Sequence, residues 1–145
     1  LEDIRHRNTE QRLYDYIAEC LHRYSSQRDK QKGEAYVHGF TLAMTAQNRF
    51  YRPISEQENQ EGYADIFLHP RLMQLPDMAY SYCIEVKYAK RDASDAEIKK
   101  LLSDAKTQLK QYATSEWIRH DKGTTELKCI ALVFQGWKLV KVEEA

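Results

Sequence analysis

A chain of 145 residues has the length of one domain, enough to bury about 70% of the surface its unfolded form exposes. Lysine plus arginine and aspartate plus glutamate each number 22, so the formal net charge is zero; this excludes binding nucleic acid through a global positive field and leaves only a local patch. Ten tyrosines, four phenylalanines and two tryptophans supply an aromatic core and exclude a disordered chain.

Leu13, Ile17, Cys20, Leu21 and Tyr24 recur at helical spacing and predict a first helix over 9–24. The polar run SSQRDKQKG reads as a connection. A second helix follows to about Asn48, with Val37, Phe40 and Met44 as its inward stripe. RFYRPI extends into a strand, and Pro53 implies an edge or an end. SEQENQEG is a charged turn, YADIFLHP a strand closed by Pro70, RLMQLPDM a loop and YSYCIEVKYAK the next strand. One long helix is expected over 92–121, with Ile98, Leu101, Leu102, Ala105, Leu109 and Tyr112 inward and Ser94 or Asp95 as N-cap. KGTTE turns the chain into the apolar strand LKCIALVFQGW, and KLVKVEE alternates as a final edge strand. A helix of that length between two strands implies a crossover, hence a sheet with a parallel pair and helices packed on it. The fold class is α/β or α+β.

Cys20, Cys83 and Cys129 are far apart in apolar settings. Their odd number and wide spacing argue against a disulfide framework or a zinc knuckle and point to reduced, buried thiols in a cytoplasmic protein. No apolar run approaches the ~18 residues of a membrane span, and no signal-peptide pattern is present. The chain opens at Leu1 in charged sequence and reads as a piece of a longer protein.

YSYCIEVKYAK holds a conflict: Glu85 and Lys87 sit inside a stretch otherwise built for burial. Strand alternation puts Tyr82, Ile84, Val86 and Tyr88 on one face and Ser81, Cys83, Glu85 and Lys87 on the other. Unpaired and buried, each charge would cost several kcal/mol. Either that face is exposed at the strand's end, or the charges meet a partner. Asp65, near the start of the preceding strand, bears on the choice. Adjacent strands lie ~4.8 Å apart, so Asp65 and Glu85 can converge, and a divalent cation held by oxygen ligands would relieve their repulsion.

Asp65 followed by Glu85-Val86-Lys87 resembles the D…(D/E)-X-K signature of the PD-(D/E)XK nuclease superfamily. SEQENQEGYADIFLHP, LPDMAYSYCIEVKYAK, AKTQLKQY and CIALVFQGW resemble the nuclease-like domain that follows an AAA-type ATPase module in many bacterial proteins. The resemblance spans about residues 30 to 145 and leaves residues 1–30 as a helical connection to a missing ATPase-like region. It implies a restriction-endonuclease-like fold with a mixed central sheet of four to five strands flanked by helices. It implies Mg²⁺ or Mn²⁺ held by Asp65, Glu85 and the Val86 carbonyl, with Lys87 catalytic. Gln108 and Tyr112 match a glutamine-x-x-x-tyrosine element, and their i,i+4 spacing puts both on one helix face. Glu34 resembles a first-helix acid that completes the metal site, and Glu58 a glutamate common in this group. Ala64 stands where the signature has proline, and Gly62-Tyr63-Ala64-Asp65 lacks an arginine that many relatives carry.

Other polar residues have plainer readings. Tyr112 reads as core before ligand, and His38, one turn after Glu34, as a partly buried structural histidine. His6, His22, His69 and His120 show no ligand spacing and are assigned to surface and loops. Lys90, Arg91, Lys99, Lys100, Lys106 and Lys110 offer a modest basic patch on what is otherwise a solvated helix face. The resulting expectation is a metal-dependent phosphodiesterase acting on DNA, attached to its own ATPase-like region and without a membrane segment. Its rivals are a catalytically idle module regulating the ATPase and a homodimerisation domain built on the last apolar strand and Trp137.

Overall fold

The computed structural model describes residues 11–24, 33–55 and 65–145. Helices α1 (Gln11–Tyr24) and α2 (Gly33–Ala46) lead into strands β1 (Tyr51–Ser55), β2 (Ile66–Pro70) and β3 (Tyr80–Ala89). Helices α3 (Asp95–Ala113) and α4 (Glu116–Asp121) precede β4 (Glu126–Gln135) and β5 (Lys138–Glu144). The strands form one five-stranded sheet in the order β1-β2-β3-β4-β5. The β3–β4 pair is parallel and the others antiparallel, so the chain between β3 and β4 is the expected crossover. Each face of the sheet is covered. Tyr82, Ile84 and Val86 join residues of α1 and α2 in one core, and Cys83, Ala131 and Val133 join residues of α3 in the other.

Local chemistry explains where elements start and stop. Asn48 ends α2 by donating to the Thr45 carbonyl at 2.6 Å and accepting from the Phe50 and Tyr51 amides, which aims the chain into β1. Ser94 and Glu97 form a capping box at the head of α3. Gly136, at φ +59°, opens the tight turn from β4 into β5. Pro53 and the alternating KLVKVEE lie on the two edge strands, as expected.

Three sequence expectations are corrected. The single helix over 92–121 is two: Thr114 and Ser115 turn their hydroxyls onto the Gln111 and Tyr112 carbonyls, closing α3 where no glycine or proline marks a stop. The buried face of α2 runs through Val37, Thr41 and Thr45, while Phe40 and Met44 are only half-buried. Both threonines bond back to carbonyls of their own helix, which removes the cost of burying a hydroxyl. The apolar strand and Trp137 proposed for dimerisation are interior: β4 is flanked by β3 and β5, and Trp137 packs against Tyr36 and Tyr88.

Cys20, Cys83 and Cys129 are free and buried, as expected. Among the described residues, no helix is long and apolar enough to cross a membrane.

Candidate metal centre

Register brings the two carboxylates together. Ile66 pairs with Ile84 across the antiparallel β2–β3 ladder, so one step outward sets Asp65 beside Glu85. Asp65 Oδ2 accepts the Val86 amide at 2.7 Å. In a strand the amide and carbonyl of one residue project to the same edge, so the Val86 carbonyl points to the side on which Asp65 stands. The Asp65 carbonyl is in turn 3.0 Å from His38 Nε2, which lies 3.3 Å from Ser55 Oγ. A carbonyl only accepts, so Nε2 carries the proton. Helix α2 thereby pins the backbone of the first carboxylate.

Glu85 and Lys87 project to the α3 side of the sheet, as alternation requires. Lys87 Nζ donates to Glu85 Oε1 at 2.9 Å, with the side chains 14% and 2% exposed. The other oxygen, Glu85 Oε2, is buried with no hydrogen-bond partner. Burial first, and the neighbouring Asp65 charge second, push the Glu85 carboxyl from its ordinary 4.5 up to about 7, against the opposing pull of Lys87 and of a hydrogen bond from the Asp65 backbone amide. Burial likewise drives the Cys83 thiol well above its usual range, with the charges of Cys129, Glu85 and Asp65 adding to it; this keeps the thiol protonated and unreactive.

Gln108 comes from α3. Its Oε1 is also buried without a partner, and with Lys87, Asp104, Thr107 and Gln111 it lines a cavity of about 470 Å³. Glu85, more deeply buried, is not part of that wall. Asp104 and Leu101 continue into a second cavity of about 620 Å³ that includes Lys90 and Lys100. The expected basic patch is divided there, because Asp92, Glu97 and Asp104 line the same space and Lys106 is paired to Glu143 at 2.6 Å. Tyr112 is buried in the core beneath α3.

Glu34 is the second residue of α2, but its side chain lies outside the described residues, as do Glu58, Gly62, Tyr63 and Ala64. Among the described residues no three histidine, cysteine or acidic side chains converge as a metal-binding group. The donors present are two carboxylates and a main-chain carbonyl edge. They fit a hard divalent cation: a half-buried carboxyl stands beside a buried one, and one oxygen of the buried carboxyl is left without a donor.

Residues 32–144 match the family model of the PD-(D/E)XK nuclease superfamily. The chain belongs to that superfamily. Its mixed α+β architecture agrees with the restriction-endonuclease-like fold of such nucleases; Asp65 immediately precedes β2, and Glu85-Val86-Lys87 lie on the neighbouring β3. No curated protein and no solved structure matches the chain.

The anchoring of Asp65 by His38 was not legible in the sequence. The two are 27 positions apart, and the only signal was a histidine one helical turn beyond Glu34.

Proposed function

We propose that this domain hydrolyses phosphodiester bonds in DNA with Mg²⁺ or Mn²⁺ as cofactor. One observation carries the reading: Asp65 and Glu85 stand side by side at a strand end, with Glu85 Oε2 buried and unpartnered and Lys87 bonded to the other oxygen. Asp65, Glu85 and the Val86 carbonyl would hold the cation, with Glu34 as a further carboxylate from α2. When bound, such an ion supplies positive charge to the scissile phosphate and acidifies water at the site.

The chain's own residues have separate roles. Lys87 stabilises negative charge as it builds on the phosphate, and Gln108 orients water or substrate with its free oxygen. A Glu85 carboxyl near 7 binds cations poorly while protonated, so metal affinity rises as pH passes through that value. Resemblance of residues 30–145 to domains that follow AAA-type ATPase modules supports placing this unit beside an ATPase-like region, joined through residues 1–30. Three free thiols fit a reducing, cytoplasmic setting.

The Glu85–Lys87 ion pair also favours a second reading, a retained but idle nuclease fold that regulates a partner domain, because the pair satisfies both charges without metal. Incubating the full-length protein with DNA and RNA, Mg²⁺ or Mn²⁺, and nucleotide separates the two. Cleavage lost in Asp65→Ala supports hydrolysis. Intact substrates with wild type and variant alike support the idle module.

A further inference from the structure

A second charged cluster lies at the opposite end of β2. Arg52 on β1 stands directly across from His69 on β2, and side chains so paired are only ~5 Å apart at Cβ and face the same side. Arg71 follows two residues on, its backbone fixed by a bond to the Phe50 carbonyl and by the turn it starts with Gln74 and Leu75. His120 arrives from the end of α4. These four basic side chains line one cavity of about 420 Å³, in which Asp121 is the only acidic wall residue.

Asp121 is committed to the two histidines, 3.0 Å from His120 Nδ1 and 3.9 Å from His69 Nε2. Neither Arg52 nor Arg71 makes an ion pair among the described residues. The cavity therefore holds two guanidinium groups with no ion-pair partner among the described residues, beside the His69 and His120 imidazoles. Gly123, at φ +57°, lets the turn after α4 press against Leu72, whose Cδ1 would be 2.5 Å from any added Cβ. His69 is set edge-on against Phe67, which is itself capped by Trp117.

We propose that this pocket binds a phosphate group carried by a nucleic-acid strand, as an anchor separate from the carboxylate pair. Planar guanidinium forks suit phosphate oxygens, and two arginines and two histidines face a single acid, so an anion is the ligand the lining selects. Asp65, Phe67 and His69 alternate onto the same face, and four residues of strand span roughly 13 Å. The phosphate site stands without the hydrolytic reading; the identity of its carrier rests on it.

Binding is measured in EDTA, where hydrolysis makes no contribution. The probes are inorganic phosphate by calorimetry, and 5′-phosphorylated, 3′-phosphorylated and unphosphorylated oligodeoxynucleotides by fluorescence anisotropy. The double variant Arg52→Ala/Arg71→Ala loses about tenfold or more in affinity for at least one oligonucleotide, whereas Lys141→Ala binds as wild type does. Arg52→Lys/Arg71→Lys recovers part of the loss, which separates lost charge from lost folding. A loss confined to one phosphorylated end identifies a terminal phosphate, and an equal loss for all three identifies the internal backbone. Unchanged binding of every oligonucleotide in the alanine variant overturns the proposal, and an effect on inorganic phosphate alone overturns the nucleic-acid carrier.

Discussion

The two ends of β2 make a direct comparison. At its start, Asp65 meets Glu85 in a buried place where carboxyl groups repel and one oxygen has no donor. At its end, Arg52, His69 and Arg71 gather in an open cavity with one acid among them. Two carboxyl groups and the Lys87 amine crowd together at one end; positive charge is concentrated and wet at the other. Buried charges lose their solvation and shift their protonation, while exposed ones keep both and wait for a counter-ion. On the proposed reading one end holds a cation and the other an anion, on the same face of the sheet.

Removing the amine from the acidic end gives the largest effect. Lys87→Met lowers the cleavage rate by about 10²- to 10³-fold yet leaves Mn²⁺ binding in place, since the variant frees Glu85 Oε1. Comparing single-turnover rates with metal titrations checks both halves. Loss of metal binding in Lys87→Met would mean that the ion pair, rather than the carboxylates, organises the site.

The raised Glu85 carboxyl has a signature in stability. The unfolded chain releases this proton near 4.5 and the folded chain near 7, so between those values the folded state binds more protons and stability falls as pH rises. Relative to Glu85→Gln, the wild type loses up to about 3 kcal/mol across that window and nothing further above it. Denaturant unfolding of both proteins from pH 4 to 8 measures the difference, and Mn²⁺ restores the loss by binding only the folded form. Parallel curves would show that the carboxyl titrates normally.

His38 acts through Asp65 as a positioning residue. His38→Ala weakens Mn²⁺ binding by about tenfold while phosphate binding at the far end of β2 is unchanged. Retention of full metal affinity would reduce the histidine to a plain structural contact.

The smallest effect comes from the opposite end. Gly123→Ala places a side chain at positive φ against Leu72 and costs on the order of 1–2 kcal/mol in unfolding free energy. It weakens oligonucleotide binding in EDTA without changing Mn²⁺ affinity. A parallel loss at the metal site would show that the two ends are not separable.

The same comparison shows why one end was readable in the sequence and the other was not. Glu85 and Lys87 lie two apart in a single strand, and period-two alternation suffices to put them on one face. Asp65 joins them through the shortest register, across one antiparallel pair. The basic cavity draws on β1, the end of β2 and the end of α4, so no spacing within one segment announces it, and His69 and His120 read only as surface residues. The two-helix form of 92–121 was hidden for a related reason: Thr114 and Ser115 end α3 with side-chain hydroxyls, a signal far weaker than glycine or proline. Thr41 and Thr45 count as polar in any periodicity, yet their hydroxyls are satisfied on the helix and they bury as apolar residues do.

Calorimetric titration of Mn²⁺ at pH 8 into the wild type, Asp65→Ala and Glu85→Gln tests most directly whether the acidic end of β2 holds a cation. Saturable binding to the wild type that disappears in both variants is the predicted result. No heat at millimolar Mn²⁺, or binding that survives both substitutions, would contradict it and leave the Glu85–Lys87 pair as a structural bond.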